Sequence, residues 1–167
     1  MLSKPLVLYF SVYGSTEQLA KTIARKTGAD ILEIVPAVPY ESERTHYHTL
    51  AARAKREQSE NARPVIANLA QICIEEYDTV YIGYPMWWYT FPMILYTLFE
   101  SLDFSDKTLI PFNTHMGSGD GGTYRTLQTL APKARILPGL PVEMRIAEQG
   151  AEKEVADWLE SGKQIAV

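Results

Sequence analysis

The sequence predicts a three-layer α/β/α sandwich on a doubly wound, five-stranded parallel sheet, and three observations carry that prediction. Strand-like and helix-like segments alternate five times along the chain, a pattern that calls for βαβ units with right-handed crossovers. The opening strand segment is continuously apolar rather than alternating, as suits a strand covered on both faces. The composition, 46% apolar and 22% charged over 167 residues, is that of one globular domain. No repeat, linker or composition break divides residues 1–167.

Each element has its own justification. Leu6-Val7-Leu8-Tyr9-Phe10 is a strand-length run of aliphatic and aromatic residues. Thr16 to Lys26 reads as a helix with Leu19, Ala20, Ile23 and Ala24 on one stripe; Ser15 with Gln18 predicts a capping box, and Gly28 a C-terminal stop. Ile31 to Val35 is a second strand, closed by Pro36 and Pro39. From Arg44 to Asn61 a helical pattern puts Tyr47, Leu50, Ala51 and Ala54 inward, and leaves Arg53, Lys55, Arg56 and Glu57 as a solvated face. Asp78 to Gly83 is a third strand, and a helix follows from about Pro92 with Ile94, Leu95, Leu98 and Phe99 inward. Thr108 to Phe112 is a fourth strand ending at Asn113, followed by a glycine-rich loop and a short helix from Thr123 to Leu130. Ile136 to Val142 is extended but broken by Pro138 and Gly139. Glu152 to Glu160 closes the pattern as a helix with Val155, Trp158 and Leu159 inward.

Charge and cysteine content exclude several functions. A net charge of -4, from 20 acidic and 16 basic residues, argues against a general nucleic-acid binder. The single cysteine, Cys73, can form no internal disulfide, and its neighbours suggest a half-buried, inert thiol. Met1 to Pro5 leads into a short apolar run without the pattern of a signal peptide, and no stretch approaches membrane-span length. These features predict a soluble, cytoplasmic chain without membrane contact.

In a doubly wound sheet, ligands bind beyond the carboxyl ends of the strands, where the strand order reverses. After the first strand, Ser11-Val12-Tyr13-Gly14-Ser15-Thr16 opens a helix with hydroxyls and a glycine. Such a helix start favours a phosphate, although Ser15 has a second reading as a plain cap. Neither a P-loop lysine nor G-x-G-x-x-G is present, which disfavours nucleoside triphosphates and dinucleotides. After the third strand, Pro85 to Phe91 carries four large aromatics. Adjacent Trp87 and Trp88 cannot both point into the core, so at least one is free to stack on a planar ligand; a dimer contact or core plug is the other reading. After the fourth strand, Gly117 to Gly122 holds four glycines in six residues. That loop can bring backbone N–H groups to a ring edge, or be merely a mobile connection. A phosphorylated planar heterocycle fits all three loops together, and a mononucleotide such as FMN fits best.

These residues resemble the flavodoxin-like proteins, and most closely the small single-domain bacterial ones. The resemblance runs over nearly the whole chain and rests on Tyr9-Phe10-Ser11 with Gly14 and Thr16, Pro39-Tyr40, Asn61-Ala62-Arg63-Pro64, Ile82-Gly83-Tyr84-Pro85 with Trp87-Trp88, and Gly117-Ser118-Gly119. It implies strand order 2-1-3-4-5 and FMN as cofactor. By position it implies that Ser11, Tyr13, Gly14, Ser15 and Thr16 hold the phosphate. Pro85, Met86, Trp87 and Trp88 would border the isoalloxazine, with one tryptophan stacked on it. Thr114, Gly117, Ser118 and Gly119 would line the pyrimidine edge, where His115 has either a place or a structural role.

Two departures bear on function. Tyr89 stands where many relatives carry glycine, and its bulk should hinder positive φ or a peptide flip near flavin N5, disfavouring one-electron cycling. The net charge is also mild for a carrier that docks on basic reductases. The leading reading is therefore an FMN-dependent reductase or quinone-type oxidoreductase, with an NAD(P)H donor and no committed catalytic side chain. The alternatives are a one-electron shuttle serving redox partner proteins and a flavin-free partner-binding domain. The five methionines and the tryptophan pair leave room for a homodimer face.

Overall fold

The computed structural model describes residues 3–165; Met1 and Leu2 of the opening pentapeptide lie outside the described residues. The chain runs β1 (Leu6–Tyr9), α1 (Ser15–Thr27), β2 (Asp30–Glu33), α2 (Tyr47–Ser59), β3 (Thr79–Pro85), α3 (Ile94–Ser101), β4 (Thr108–His115), α4 (Thr123–Leu130), β5 (Arg135–Ile136), β6 (Leu140–Glu143), α5 (Met144–Ala147) and α6 (Glu152–Ile165). All strand pairs are parallel, in the order β2-β1-β3-β4-β5, and β6 also pairs with β4. The register sets Val7 between Ile31 and Tyr81, and Tyr81 in turn beside Ile110.

The continuous apolar run of β1 now has its reason. Successive strand side chains point to opposite faces, so Leu6, Leu8 and Phe10 enter one core while Val7 and Tyr9 enter the other. The first core is closed by α2, α3 and α4 through Leu50, Leu95, Leu98 and Leu127. The second is closed by α1, α5 and α6 through Leu19, Ile23, Ala147 and Val155. Gly28 ends α1 as expected, at φ 70° with its N–H on the Ala24 carbonyl. Among the described residues no helix is long and apolar enough to cross a membrane.

The fifth strand position is filled by two short strands. β5 pairs with β4 at Thr108 and Leu109, and β6 from Phe112 to His115. Between them Pro138 lacks an N–H, and Gly139 lies so close to β4 that a Cβ there would meet the Pro111 carbonyl at 2.6 Å and the Tyr124 ring at 2.5 Å.

Three local expectations are corrected. Cys73 is exposed rather than half-buried. Tyr47 is 50% exposed, so the inward stripe of α2 is Leu50 and Ala54. Most informatively, Arg53 and Glu57 are not part of a solvated face. Glu57 is 8% exposed, accepts from Arg53 Nε at 3.0 Å and from the Tyr40 hydroxyl at 2.7 Å. A charged pattern on one helix face reads as solvated until an acceptor-seeking tyrosine arrives from another segment, here Tyr40 after β2.

Candidate functional site

The carboxyl ends of β1, β3 and β4 meet at one edge of the sheet, and the segments leaving them enclose a cleft of about 460 Å³. This lies in the size range of small-molecule sites. Ser11, Tyr13, Ser15 and Thr16 line it from the β1 side; Pro85, Met86, Trp87 and Trp88 from the β3 side; Thr114, Gly117 and Ser118 from the β4 side. Gly14 and Gly119 are not among the lining residues. No Asp, Glu, Lys or Arg is among the lining residues.

At the hydroxyl end, the helix start differs from the expected capping box. Ser15 is buried and makes no cap hydrogen bond. The cap is supplied by Ser11, whose Oγ accepts the Glu17 N–H at 3.2 Å. Gly14, at φ 95°, turns the chain into α1 and offers its carbonyl to the Gln18 N–H at 2.9 Å. The first N–H groups of a helix have no intrahelical partner, so those of Ser15 and Thr16 stand beside the cleft as donors. Thr16 Oγ1 and Thr114 Oγ1 share a buried 2.8 Å hydrogen bond that joins α1 to β4. The Tyr13 hydroxyl is buried with no hydrogen-bond partner among the described residues. Burial pushes its phenol up, Tyr47 adds to this, and the nearby Arg44 opposes it.

The β3 side is a tight hairpin. Trp87 and Thr90 exchange both backbone hydrogen bonds, at 3.2 and 3.1 Å, and the two residues between them have positive φ, 49° at Trp88 and 59° at Tyr89. This is the type I′ geometry of two-residue hairpins, which favours Asn and Gly. The expectation that Tyr89 would hinder positive φ is therefore not met: strand pairing at Trp87 and Thr90 holds the bulky residue there. The tryptophans separate as their adjacency required. Trp87 packs edge-on against Phe10 at 5.4 Å and Tyr40 at 5.1 Å. Trp88 is 47% exposed, donates Nε1–H to the Ala51 carbonyl at 3.0 Å and lies under Lys55 Nζ at 5.1 Å.

On the β4 side, Thr114 and His115 belong to the strand and not to the loop. His115 Nδ1 accepts the Gly117 N–H at 3.0 Å, so the ring folds the loop back while also lining the cleft. Gly119 serves as an anchor: its carbonyl accepts Asn113 Nδ2 at 2.9 Å. Beneath the loop, Tyr124 donates to Asn113 Oδ1 at 2.5 Å, and the Tyr84 hydroxyl shares a 2.6 Å bond with Thr123, which also bonds the Asp120 carbonyl. Burial drives both tyrosines well above the ordinary phenol range, so they remain neutral donors.

A family model described as Flavodoxin matches residues 4–162. The chain belongs to the flavodoxin family. It is similar to a protein from Bacteroides uniformis described as a flavoprotein, with 34% identity over 96% of this chain and 99% of that one, at a TM-score of 0.82. A second such protein, from Bacteroides eggerthii, has 31% identity over 96% and 98%, at 0.77. The flavoprotein of Lactobacillus acidophilus, solved in complex with FMN, shares the fold at 18% identity over 89% and 99%, at 0.68. No match is found among curated proteins.

Several lining residues of this flavodoxin-family cleft escaped the sequence reading. Val12, Tyr89, Met116 and Met144 also line it, as do Tyr47, Leu50, Ala51 and Ala54 of α2. The Leu50 and Ala54 stripe was visible as a buried face. That it extends past the sheet edge to meet Trp88 depends on how residues 34–46 carry the chain, which no periodicity encodes.

Proposed function

We propose that this chain binds FMN in the cleft and acts as an FMN-dependent oxidoreductase, passing electrons from an NAD(P)H donor to a small planar acceptor of the quinone class. The observation that carries the reading is the make-up of the cleft lining, with hydroxyls and helix-start N–H groups from the β1 side and aromatic and thioether side chains from the β3 side. FMN has that same polarity. The residues fit it: the orphaned Tyr13 hydroxyl is a buried donor in search of an acceptor, and no carboxylate in the wall would repel a phosphate.

On this reading Ser11, Tyr13, Ser15 and Thr16 donate to the phosphate, with Gly14 shaping the turn. Trp87 faces the isoalloxazine, because the Trp88 indole is committed to α2. Pro85 and Met86 border the ring, and Thr114, Gly117 and Ser118 its pyrimidine edge, with Gly119 holding the loop. When bound, FMN supplies hydride or single-electron chemistry; the chain binds it, orients it and excludes water. The apolar α2 wall gives a neutral planar acceptor a surface to lie on. A one-electron shuttle is the second reading, favoured by the exposed Trp88, Tyr89 and Met116 at the mouth, which suit a protein partner.

The experiment is an FMN titration into the desalted protein, followed by anaerobic reduction and reoxidation by a benzoquinone or by cytochrome c. Saturable uptake and faster reoxidation by the quinone support the oxidoreductase. Preference for the cytochrome selects the shuttle, and failure to take up FMN removes both and leaves a partner-binding domain.

A further inference from the structure

Trp87 is backed by two buried aromatic rings, Phe10 and Tyr40. Its ring, that of Phe10 and that of Tyr40 contact one another pairwise edge-on, with centroids 5.1 to 5.6 Å apart. Edge-to-face pairs of this kind are orientation-dependent. Tyr40 is 7% exposed and is not a cleft residue. It reaches the cleft through Trp87.

Behind Tyr40 lies an ionic clamp. Its hydroxyl donates to Glu57 Oε2 at 2.7 Å, Glu57 Oε1 accepts Arg53 Nε at 3.0 Å, and the Arg53 guanidinium lies 3.6 Å over the Tyr40 ring. The remaining guanidinium nitrogens donate to the carbonyls of Pro39 at 2.6 Å and Val38 at 3.0 Å. Arg53 and Glu57 are one turn apart on α2, while Val38, Pro39 and Tyr40 belong to the segment after β2. Burying a charge pair is a poor way to gain stability, since well-packed apolar residues do as well or better. What this cluster contributes is direction. A hydroxyl bonded to a carboxylate and a guanidinium flat on the ring leave the Tyr40 plane one orientation. Burial raises its phenol well above the ordinary range, the Glu57 hydrogen bond adds to this, and Arg53 opposes it.

We propose that Tyr40, clamped by Glu57 and Arg53, is a positioning residue that sets the angle of Trp87 at the cleft, so that α2 rather than the hairpin carrying Trp87 fixes the aromatic plate. The contrast with Trp88 supports this, since that ring is half exposed and tied by one hydrogen bond and one cation. The effect on the cofactor rests on the FMN reading. The effect on Trp87 does not.

The test has an arm for each. Near-ultraviolet circular dichroism of the FMN-free protein, compared with Trp87→Phe, isolates the Trp87 signal. Tyr40→Leu abolishes most of that signal, while Tyr40→Phe, which keeps the ring but loses the hydroxyl bond to Glu57, and Glu57→Gln each lose part of it. FMN affinity follows the same order, weakening about two- to tenfold in Tyr40→Leu, the factor an edge-on aromatic pair is worth. Urea midpoints show which variants are folded. A folded Tyr40→Leu with the Trp87 signal intact overturns the proposal, as does an unchanged signal in Tyr40→Phe. Should Tyr40→Leu fail to fold, an unchanged Trp87 signal in Glu57→Gln overturns it equally. If the wild-type protein takes up no FMN, the functional reading fails while the dichroism still decides the role of Tyr40.

Discussion

Replacing Tyr89 with glycine should make this protein more stable. Tyr89 sits at φ 59° in the hairpin between Trp87 and Thr90 and is 74% exposed, so its side chain contributes little burial to lose. An L-residue held left-handed costs about 1–2 kcal/mol, and the extra freedom of glycine in the unfolded chain takes back about 0.5–1 kcal/mol. The net gain is roughly 0–1.5 kcal/mol, centred on about 0.75 kcal/mol. Over 167 residues the unfolding entropy is about 350 cal/mol/K, so the midpoint should rise by about 2 °C and by no more than about 4 °C. Differential scanning calorimetry of the FMN-free protein measures this directly. Tyr89→Ala is the control, because it removes the ring but keeps the Cβ and the strain, and its midpoint should stay within about 1 °C of wild type. A fall in Tm for Tyr89→Gly, or an equal rise for Tyr89→Ala, would refute the strain argument.

Thr16→Ala leaves Thr114 Oγ1 without its buried partner; it should lower stability by about 1–3 kcal/mol in urea and weaken FMN by a similar amount, with Thr16→Ser restoring both. Gly83→Ala would set a Cβ 2.1 Å from the Phe112 ring, so a loss of about 1–3 kcal/mol is expected, partly recovered when Phe112→Leu is added. Asp30 is held below the usual carboxylate range, first by the hydrogen bond it accepts from Lys4 and then by that from Tyr77. A depressed acid stabilises above its unfolded pKa of about 4 and loses that contribution as pH falls through the folded value. Asp30→Asn should therefore flatten the acid side of the Tm–pH curve while leaving its neutral side nearly level; an acid limb as steep as wild type would remove Asp30 from the account.

The parts of this fold that could be read in advance are those decided by local rules. The apolar run of β1, the stop at Gly28 and the helix from Thr123 to Leu130 each follow from residues within a turn or two of one another. The misreadings share an opposite cause. Ser15 looked like a cap, but Ser11 reaches the same helix end from the preceding loop. Glu57 looked solvated because the residue that buries it, Tyr40, is 17 positions away. Thr114 and His115 looked like loop because β6, which pairs with both, lies beyond an intervening helix. The candidate site was legible wherever hydroxyls, aromatics or glycines cluster at a strand end. The α2 wall was not, since alanine and leucine look alike whether they face a core or a cleft.

The absence of charged side chains from the cleft lining has a consequence for how the site would respond to its surroundings. Salt weakens attraction between full charges across several ångströms, with a screening length of about 8 Å at physiological ionic strength. A phosphate met at contact distance by hydroxyl and N–H dipoles gives dissolved ions little to screen. Ionic strength would leave such a grip nearly unchanged. Protons would not: a phosphate monoester passes from dianion to monoanion near pH ~6, and the helix-start donors would feel that lost charge at once. With the phosphate held by those donors, a cell turning acidic would loosen it where a cell turning salty would not.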